Sequence, residues 1–118
     1  MSIFEVESWL VAEGKREAHD DAMRKWLEWI NVHRDLFPEW KTVRYFEKYI
    51  AGEETHRHFI VWEYENLASF EAYKNRRAEY EGPYKEYKKV DPFYSDVFIH
   101  AGMKNELWKP LDRDLWIE

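Results

Sequence analysis

The 118-residue chain contains no cysteine, no glutamine and only four residues each of glycine, proline and asparagine. Without cysteine, disulfide scaffolds, thiolate zinc sites and cysteine nucleophiles are all excluded. Gly-rich phosphate loops, serine elbows and HExxH motifs are also absent from the sequence. The scarcity of amide side chains beside dense Glu, Lys and Arg is typical of proteins from hot environments and suggests a thermophilic source.

Long apolar runs are missing as well. The longest, such as residues 60–62, span only a few positions, whereas a helix that crosses a bilayer needs about 20 apolar residues. The chain starts with Met1, Ser2, Ile3, Phe4 and Glu5, which places an acid where a secretory signal would carry a basic and then an apolar region. We therefore expect a cytoplasmic protein with no membrane partner.

The chain is rich in aromatic residues. Hydrophobic residues make up 45% of it and aromatic residues alone 19%, which predicts a folded chain despite its many charges. Its length suits one domain, since single cores run from about 50 to 200 residues. Its 24 acidic residues against 18 basic ones give a net charge of -6, so nucleic acid is not an expected partner.

The hydrophobic pattern predicts the element order β-α-β-β-α-β. Period-two runs at residues 3–12, 43–50, 57–64 and 96–101 predict four strands, and steps of three and four predict a helix over residues 16–36. Asn66 is placed to cap a second helix, which Gly82 and Pro83 should break before a short helical piece. The domain core then spans residues 3–101, and residues 102–118 form an aromatic C-terminal extension.

This order predicts an α+β, ferredoxin-like fold, an antiparallel four-stranded sheet with both helices on one face. Both parities of the strands carry large apolar residues, for example Phe4 and Val6 against Ile3 and Trp9. Both sheet faces therefore require burial, and a second copy of the chain is the simplest cover for the helix-free face. We expect a homodimer, and the aromatic C-terminal segment leaves a higher oligomer open.

Two stretches carry a family resemblance. One is the strand end at residues 11–15, Val-Ala-Glu-Gly-Lys, followed by a helix with His19 and Trp26; the other is residues 59–73. They resemble the dimeric α+β barrel superfamily, nearest to its antibiotic-biosynthesis-monooxygenase-like and NIPSNAP-like members. The resemblance implies paired sheets and a ligand cleft between sheet and helices. Its members include cofactor-free monooxygenases, haem-degrading enzymes, isomerases and proteins of unknown activity. The fold alone therefore does not indicate which reaction, if any, the protein catalyses.

The haem-degrading members of the superfamily have three characteristic residues that can be compared with this sequence. These are an asparagine on strand one, a tryptophan near the end of strand three and a histidine ligand on helix two. Here those first two positions hold Glu7 and Tyr64, and no histidine lies between His58 and His100. Haem degradation of this type is therefore not expected, and we expect no cofactor. The same alignment places Glu5, Glu7, Trp9 and Tyr64 on the cleft side of the sheet, together with Trp62.

Glu5 and Glu7 share one strand face, and a carboxylate in an aromatic cleft gains a raised pKa and can act as a general base. We select Glu7 as the proton acceptor, with Tyr64 or His33 orienting the bound molecule. The alternatives are that both carboxylates are solvated, or that Glu7 points into the dimer barrel and pairs with a base such as Arg44.

The remaining candidates are aromatic and histidine side chains. A planar or apolar ligand would be bound by Glu5 and by further residues on the strands and helices, namely Trp9, Trp26, Trp29, Trp62, Tyr73 and His100. Core filling is the competing interpretation for each aromatic residue. His19 is expected to be half-exposed, and His56 with His58 lacks a third ligand, so no metal is expected.

Two functional hypotheses follow. The first is a small-molecule-binding protein, in its most specific form a cofactor-independent, monooxygenase-like enzyme acting on an aromatic or apolar substrate. The alternative is a non-catalytic, NIPSNAP-like dimerisation or assembly module in which the same aromatics only pack. A cavity between sheet and helices would separate the two.

Overall fold

The structure, a computed structural model, describes residues 2–117. Its strands and helices follow the order β1 (Ile3–Val11), α1 (Arg16–Val32), β2 (Trp40–Glu47), β3 (His58–Tyr64), α2 (Leu67–Arg77), α3 (Tyr84–Val90) and β4 (Phe98–Trp108). Short 3-10 turns lie at Arg34–Leu36, Gly52–Glu54, Pro92–Tyr94 and Arg113–Leu115. None of the helices in this part of the chain is long and apolar enough to cross a membrane.

The four strands form one antiparallel sheet in the order β2-β3-β1-β4. This is the ferredoxin-like arrangement that the sequence predicts. Strand β1 lies in the centre between β3 and β4, with Glu7 opposite Ile60 on one side and Asn105 on the other. Because opposite residues in a sheet point to the same face, this register decides which β4 side chains join those of β1.

Helix α1 is shorter than the predicted 16–36. It ends at Val32, and a 3-10 turn at Arg34–Leu36 carries the chain to Pro38. Proline disfavours helical backbone in the residue before it, and Phe37 is outside the helical region with φ -130° and ψ 53°. The helical spacing of the sequence therefore does not hold for residues 33–36.

Two strand predictions also require correction. Strand β2 starts at Trp40 and ends at Glu47, three residues earlier at each end than the predicted 43–50. Strand β4 runs to Trp108 rather than 101, so residues 102–108, predicted as part of the C-terminal extension, belong to the sheet. An irregular pairing opposite Ser8–Leu10 interrupts the alternation of β4, and this break hides the strand's second half from a period-two pattern.

The second helical region divides as expected. The Asn66 side chain caps α2 by accepting the Ser69 N–H at 2.8 Å, and Gly82 adopts a φ of 58° before α3 begins. Gly82 supplies the left-handed backbone that other residues avoid. Tyr80, two residues earlier, adopts the same region with a φ of 49°, which is unusual for an aromatic residue.

The core lies between the sheet and the helices. Trp26 of α1 meets Trp62 of β3 edge to face at 5.4 Å, and Tyr73 of α2 lies 5.0 Å from Trp40 of β2. The opposite sheet face has no helix, and three of its large apolar side chains, Phe46, Ile99 and Trp108, are 40–52% exposed. That face retains the apolar surface that the dimer prediction requires.

Candidate functional site

A cavity of about 270 Å³ lies between the helix side of the sheet and the helices. Strand alternation places Glu5, Glu7 and Trp9 of β1 in its wall, with Trp62 of β3 beside them. The other lining residues come from all three helices, the turn after α3 and the other strands: Trp26, Trp40, Tyr73, Lys74, Arg77, Tyr80, Tyr87, Asp91, Phe93, Tyr94, Phe98, Met103 and Asn105. Six of the ten predicted site residues therefore line one cavity.

Glu5 is the best-anchored acid of the cavity. It is only 2% exposed, and its oxygens accept the Tyr64 hydroxyl at 3.0 Å and the Asn105 amide at 2.9 Å. Lys74 of α2 forms an ion pair with it at 2.9 Å. A buried carboxylate needs such partners, since charge without them is costly to bury. Glu5 is therefore a fixed negative charge tied to both β4 and α2.

Tyr64 supports Glu5 rather than lining the cavity. Its side chain is fully buried, and burial together with the Glu5 carboxylate raises the pKa of its hydroxyl far above the ordinary range. The hydroxyl therefore remains protonated and donates to Glu5. Tyr64, predicted as a catalytic residue that orients the ligand, is a positioning residue in this structure.

Glu7 differs from Glu5 in its surroundings. Among residues 2–117 it has one hydrogen bond, from Trp62 Nε1 to its Oε1 at 2.9 Å. Burial, and next the nearby Glu5 carboxylate, raise the pKa of Glu7 from 4.5 to about 7, against the opposing effect of Lys74. Glu7 therefore faces the cavity rather than the helix-free face, and its partner is Trp62 instead of Arg44.

Aromatic rings form most of the remaining wall. Trp40 lies between Trp62 at 4.4 Å and Tyr73 at 5.0 Å, while Trp9 stacks on Phe98 at 4.7 Å. Four buried groups of the wall lack a hydrogen bond of normal geometry within the described residues: Trp26 Nε1, Trp40 Nε1, the Tyr73 hydroxyl and Arg77 Nε. All four can donate, so the wall of the cavity contains buried donors without a partner of normal geometry.

Some of these donors have loose neighbours within the protein. Burial raises the pKa of the Tyr87, Tyr64 and Tyr73 hydroxyls. Nearby groups oppose this rise: Trp26 for Tyr87, Trp40 for Tyr64 and Tyr87 for Tyr73. The Arg77 Nε–H is therefore the clearest unmet donor of the four. Buried donors without partners are rare in native proteins and mark places where water or a ligand binds.

Three predicted site residues lie elsewhere. His33 follows the end of α1, where its Nδ1 meets the Trp29 carbonyl at 2.8 Å and its ring stacks on Trp29 at 3.9 Å. Neither side chain lines the cavity. The helical phase that placed His33 on the buried face stops at Val32, and Trp29 packs against Phe37 and Tyr87 instead. His100 is exposed and stacks on Phe93 at 5.4 Å, within the irregular part of β4.

Behind Trp9 lies a buried polar network that the sequence did not indicate. Trp9 Nε1 donates to His19 Nε2 at 2.9 Å, and His19 Nδ1 lies 2.9 Å from the Asp20 carboxylate. His19 is fully buried, which corrects the expectation of a half-exposed residue. Its ring meets His58 at 4.5 Å. Burial lowers the pKa of His58 to about 4, so this ring is neutral at physiological pH.

Four polar residues line the cavity but were not predicted from the sequence, namely Lys74, Arg77, Asp91 and Asn105. Lys74 and Arg77 stand three residues apart on α2 and thus on one helix face, a spacing that could have indicated them. Asn105 was assigned to the extension because β4 was ended too early. Among residues 2–117, no group of three or more His, Asp or Glu side chains is arranged to hold a metal ion.

Comparison with known proteins gives structural relatives only. No protein-family model and no curated protein matches the chain. A NIPSNAP family protein from Agrobacterium tumefaciens superposes with a TM-score of 0.69 at 18% identity, covering 96% of each chain. An uncharacterized NIPSNAP-like domain protein from Burkholderia xenovorans gives 0.63 at 16% identity, covering 95% of this chain and 87% of that one.

A third structure, a dimeric protein of unknown function with a ferredoxin-like fold from Bacteroides fragilis, gives a TM-score of 0.60 at 11% identity, covering 92% of this chain and 95% of that one. Likeness at these identities shows fold and not activity. The resemblance predicted from the sequence is confirmed at the level of the fold: the chain has a ferredoxin-like fold similar to those of these NIPSNAP family, NIPSNAP-like and dimeric ferredoxin-like proteins.

Proposed function

We propose that the protein binds a small planar aromatic molecule in the cavity and accepts a proton from it at Glu7. The observation that supports this proposal is the Glu7 carboxyl, whose pKa is raised to about 7 in an aromatic wall. A general base is most effective when its pKa lies near the working pH, because it is then both available and strong enough.

The two carboxyl oxygens of Glu7 have different roles in this proposal. Oε1 accepts the Trp62 N–H and fixes the carboxyl, whereas Oε2 has no partner among residues 2–117 and receives the proton. Glu5 does not compete for it, because its oxygens are engaged by Tyr64, Asn105 and Lys74. Its negative charge raises the proton affinity of Glu7 instead.

The size and lining of the cavity support the aromatic ligand. Pockets for drug-sized ligands occupy about 300–1,000 Å³, so a volume near 270 Å³ suits a compound of one or two rings. The rings of Trp9, Trp40 and Trp62 offer flat surfaces for stacking. This cavity favours the small-molecule hypothesis over an assembly module with a filled core.

In its most specific form the proposal is a cofactor-independent monooxygenase-like reaction. Loss of a proton to Glu7 makes a hydroxyaromatic ring electron-rich enough to react with dioxygen, the co-substrate and oxidant. One oxygen atom then bonds to a ring carbon, which loses its hydrogen as the ring becomes a quinone, and the other oxygen atom leaves as water. The protein's part is to bind the ring, take the proton and keep bulk water from the deprotonated form.

The experiment is a binding and turnover screen with one- and two-ring hydroxyaromatics. Because four tryptophans line the cavity, saturable quenching of tryptophan fluorescence reports occupancy, and an oxygen electrode reports consumption of dioxygen. We expect binding by at least one compound and a fall of turnover by tenfold or more in Glu7→Gln. Exposed Glu13→Gln is the control. Absence of saturable binding across the screen would instead support the assembly module.

A further inference from the structure

The two cations in the cavity wall are paired very differently. Lys74 forms an ion pair with Glu5 at 2.9 Å, whereas Arg77 forms no ion pair within residues 2–117. Its one side-chain hydrogen bond there runs from Nη1 to the Tyr80 hydroxyl, and its Nε is buried without a partner. A guanidinium offers five N–H donors in a fixed fork, so most of its binding capacity is unused.

Arg77 is held in place by aromatic neighbours. Its guanidinium carbon lies 5.2 Å from the ring centres of both Tyr73 and Tyr80. Tyr80 is tied to it a second time, because its backbone N–H donates to the Arg77 carbonyl at 2.8 Å. Tyr80 keeps a left-handed φ of 49°, and such strain persists only where the surroundings enforce it. The arginine is therefore preorganised.

Against the effect of burial, and together with the nearby tyrosines, one acid of the cavity wall, Asp91, raises the pKa of the Arg77 guanidinium. Its Oδ1 accepts the Phe93 N–H at 2.9 Å and caps the turn after α3. It lies beyond ion-pair distance of Arg77 and so leaves the fork of the guanidinium open.

A lysine-bearing depression adjoins the cavity. About 540 Å³ in volume, it shares Tyr80 and Tyr94 with the cavity and adds Glu79, Lys85, Lys88 and Lys89. Lys89 is paired with Glu86 at 3.0 Å. Lys88 lies 5.0 Å from the ring centre of Tyr94 and 5.5 Å from that of Tyr80. The three lysines outnumber Glu79 and Glu86 here, so the depression keeps a positive charge in a protein with a net charge of -6. Positive patches attract anions and raise association rates.

We propose that the ligand of the cavity carries a carboxylate, which binds Arg77 after entering between Tyr80 and Tyr94 over Lys88. This inference rests on the proposed function and narrows its substrate class to aromatic carboxylates. The carboxylate accepts from the free N–H groups of Arg77, in the bidentate geometry that the guanidinium favours. The ring then reaches the tryptophans and places its acidic proton toward Glu7.

The test compares two probes of nearly equal shape, 1-hydroxy-2-naphthoate and its neutral amide, 1-hydroxy-2-naphthamide. Calorimetric titration of the full chain should show at least tenfold tighter binding of the naphthoate. In Arg77→Met this preference should disappear, with the affinity for the amide unchanged. Arg24→Met, which removes an exposed arginine of α1, should keep the preference.

Lys88→Gln gives an independent measurement at an exposed position, so it stands even if Arg77→Met fails to fold. It should slow association of the naphthoate two- to threefold at low salt, with no effect in high salt, whereas Lys25→Gln on α1 should have no effect. Equal binding of both probes, together with an unchanged association rate in Lys88→Gln, would overturn the carboxylate inference and leave the proposed function standing. Binding of neither probe would overturn both.

Discussion

Replacing Glu7 by glutamine tests the cavity through protein stability, without any ligand. The change is nearly isosteric and removes the ionisable group, while a glutamine Oε1 can still accept the Trp62 N–H that now lies 2.9 Å from Glu7. The variant therefore isolates the cost of placing a negative charge at this position of the wall.

The magnitude follows from the pKa. Glu7 has an ordinary pKa of 4.5 and a pKa of about 7 in the folded protein, and each tenfold change in proton affinity is worth about 1.4 kcal/mol. Because the folded state binds the proton more tightly, the free energy of unfolding of the wild type falls as pH rises from 4.5 to 7. The loss amounts to at most roughly 3 kcal/mol.

The glutamine variant has no such loss. Near pH 4.5 it should match the wild type, and at pH 8 it should be more stable by up to roughly 3 kcal/mol, which corresponds to about 10 °C in Tm for a domain of this size. Urea denaturation followed by circular dichroism from pH 4.5 to 8.5 measures this difference. Glu13→Gln, at an exposed position, should show almost none. A stability difference for Glu7→Gln that is independent of pH would refute the reasoning.

Strand alternation explains how much of the site was predictable. Glu5, Glu7 and Trp9 share a face of β1 whatever the strand's partners are, because successive side chains point to opposite sides. The same holds for Trp62 and Tyr64 on β3. Alternation does not say which of the two faces meets the helices, because both parities carry large apolar residues. The resemblance to the dimeric α+β barrel superfamily supplied that choice.

The errors lie where a local period ends. His33 was placed by helical spacing that stops at Val32, and His100 by a strand pattern that the irregular pairing of β4 interrupts. In both cases histidine is a suitable residue for such a site, but the backbone directs its side chain away from the cavity. Such breaks depend on tertiary pairing, which single-sequence periodicity does not contain.

The pairing of charges was also beyond sequence reasoning. Asn105 donates to Glu5 across 100 positions of sequence, and that contact depends on the register between β1 and β4. Likewise, the sequence gives no reason to distinguish Lys74 from Arg77, since both are cations on one face of α2. In the folded protein Lys74 pairs with Glu5, whereas Arg77 Nε is buried without a partner among the described residues. The difference in ion pairing on which the carboxylate proposal rests is therefore a product of the fold.

Two further predictions concern the assembly and the Glu5 ion pair. First, the protein should be a dimer through its helix-free sheet face, so light scattering at micromolar concentration should give twice the monomer mass and Val61→Asp should halve it; a wild-type monomer would contradict this. Second, Lys74→Met should destabilise the fold by roughly 2 to 4 kcal/mol at pH 8. Within the part of the chain that the structure describes, Lys74 is the one cation paired with the Glu5 carboxylate, which is 2% exposed. The loss of stability should stay below about 4 kcal/mol, because Tyr64 and Asn105 still donate hydrogen bonds to Glu5. Adding Glu5→Gln to Lys74→Met should recover most of the stability in urea denaturation, because the buried charge is then gone and the Asn105 amide can rotate to accept from the new glutamine. If the double variant were no more stable than Lys74→Met, the cost would come from lost packing of the lysine stem and not from an unpaired carboxylate.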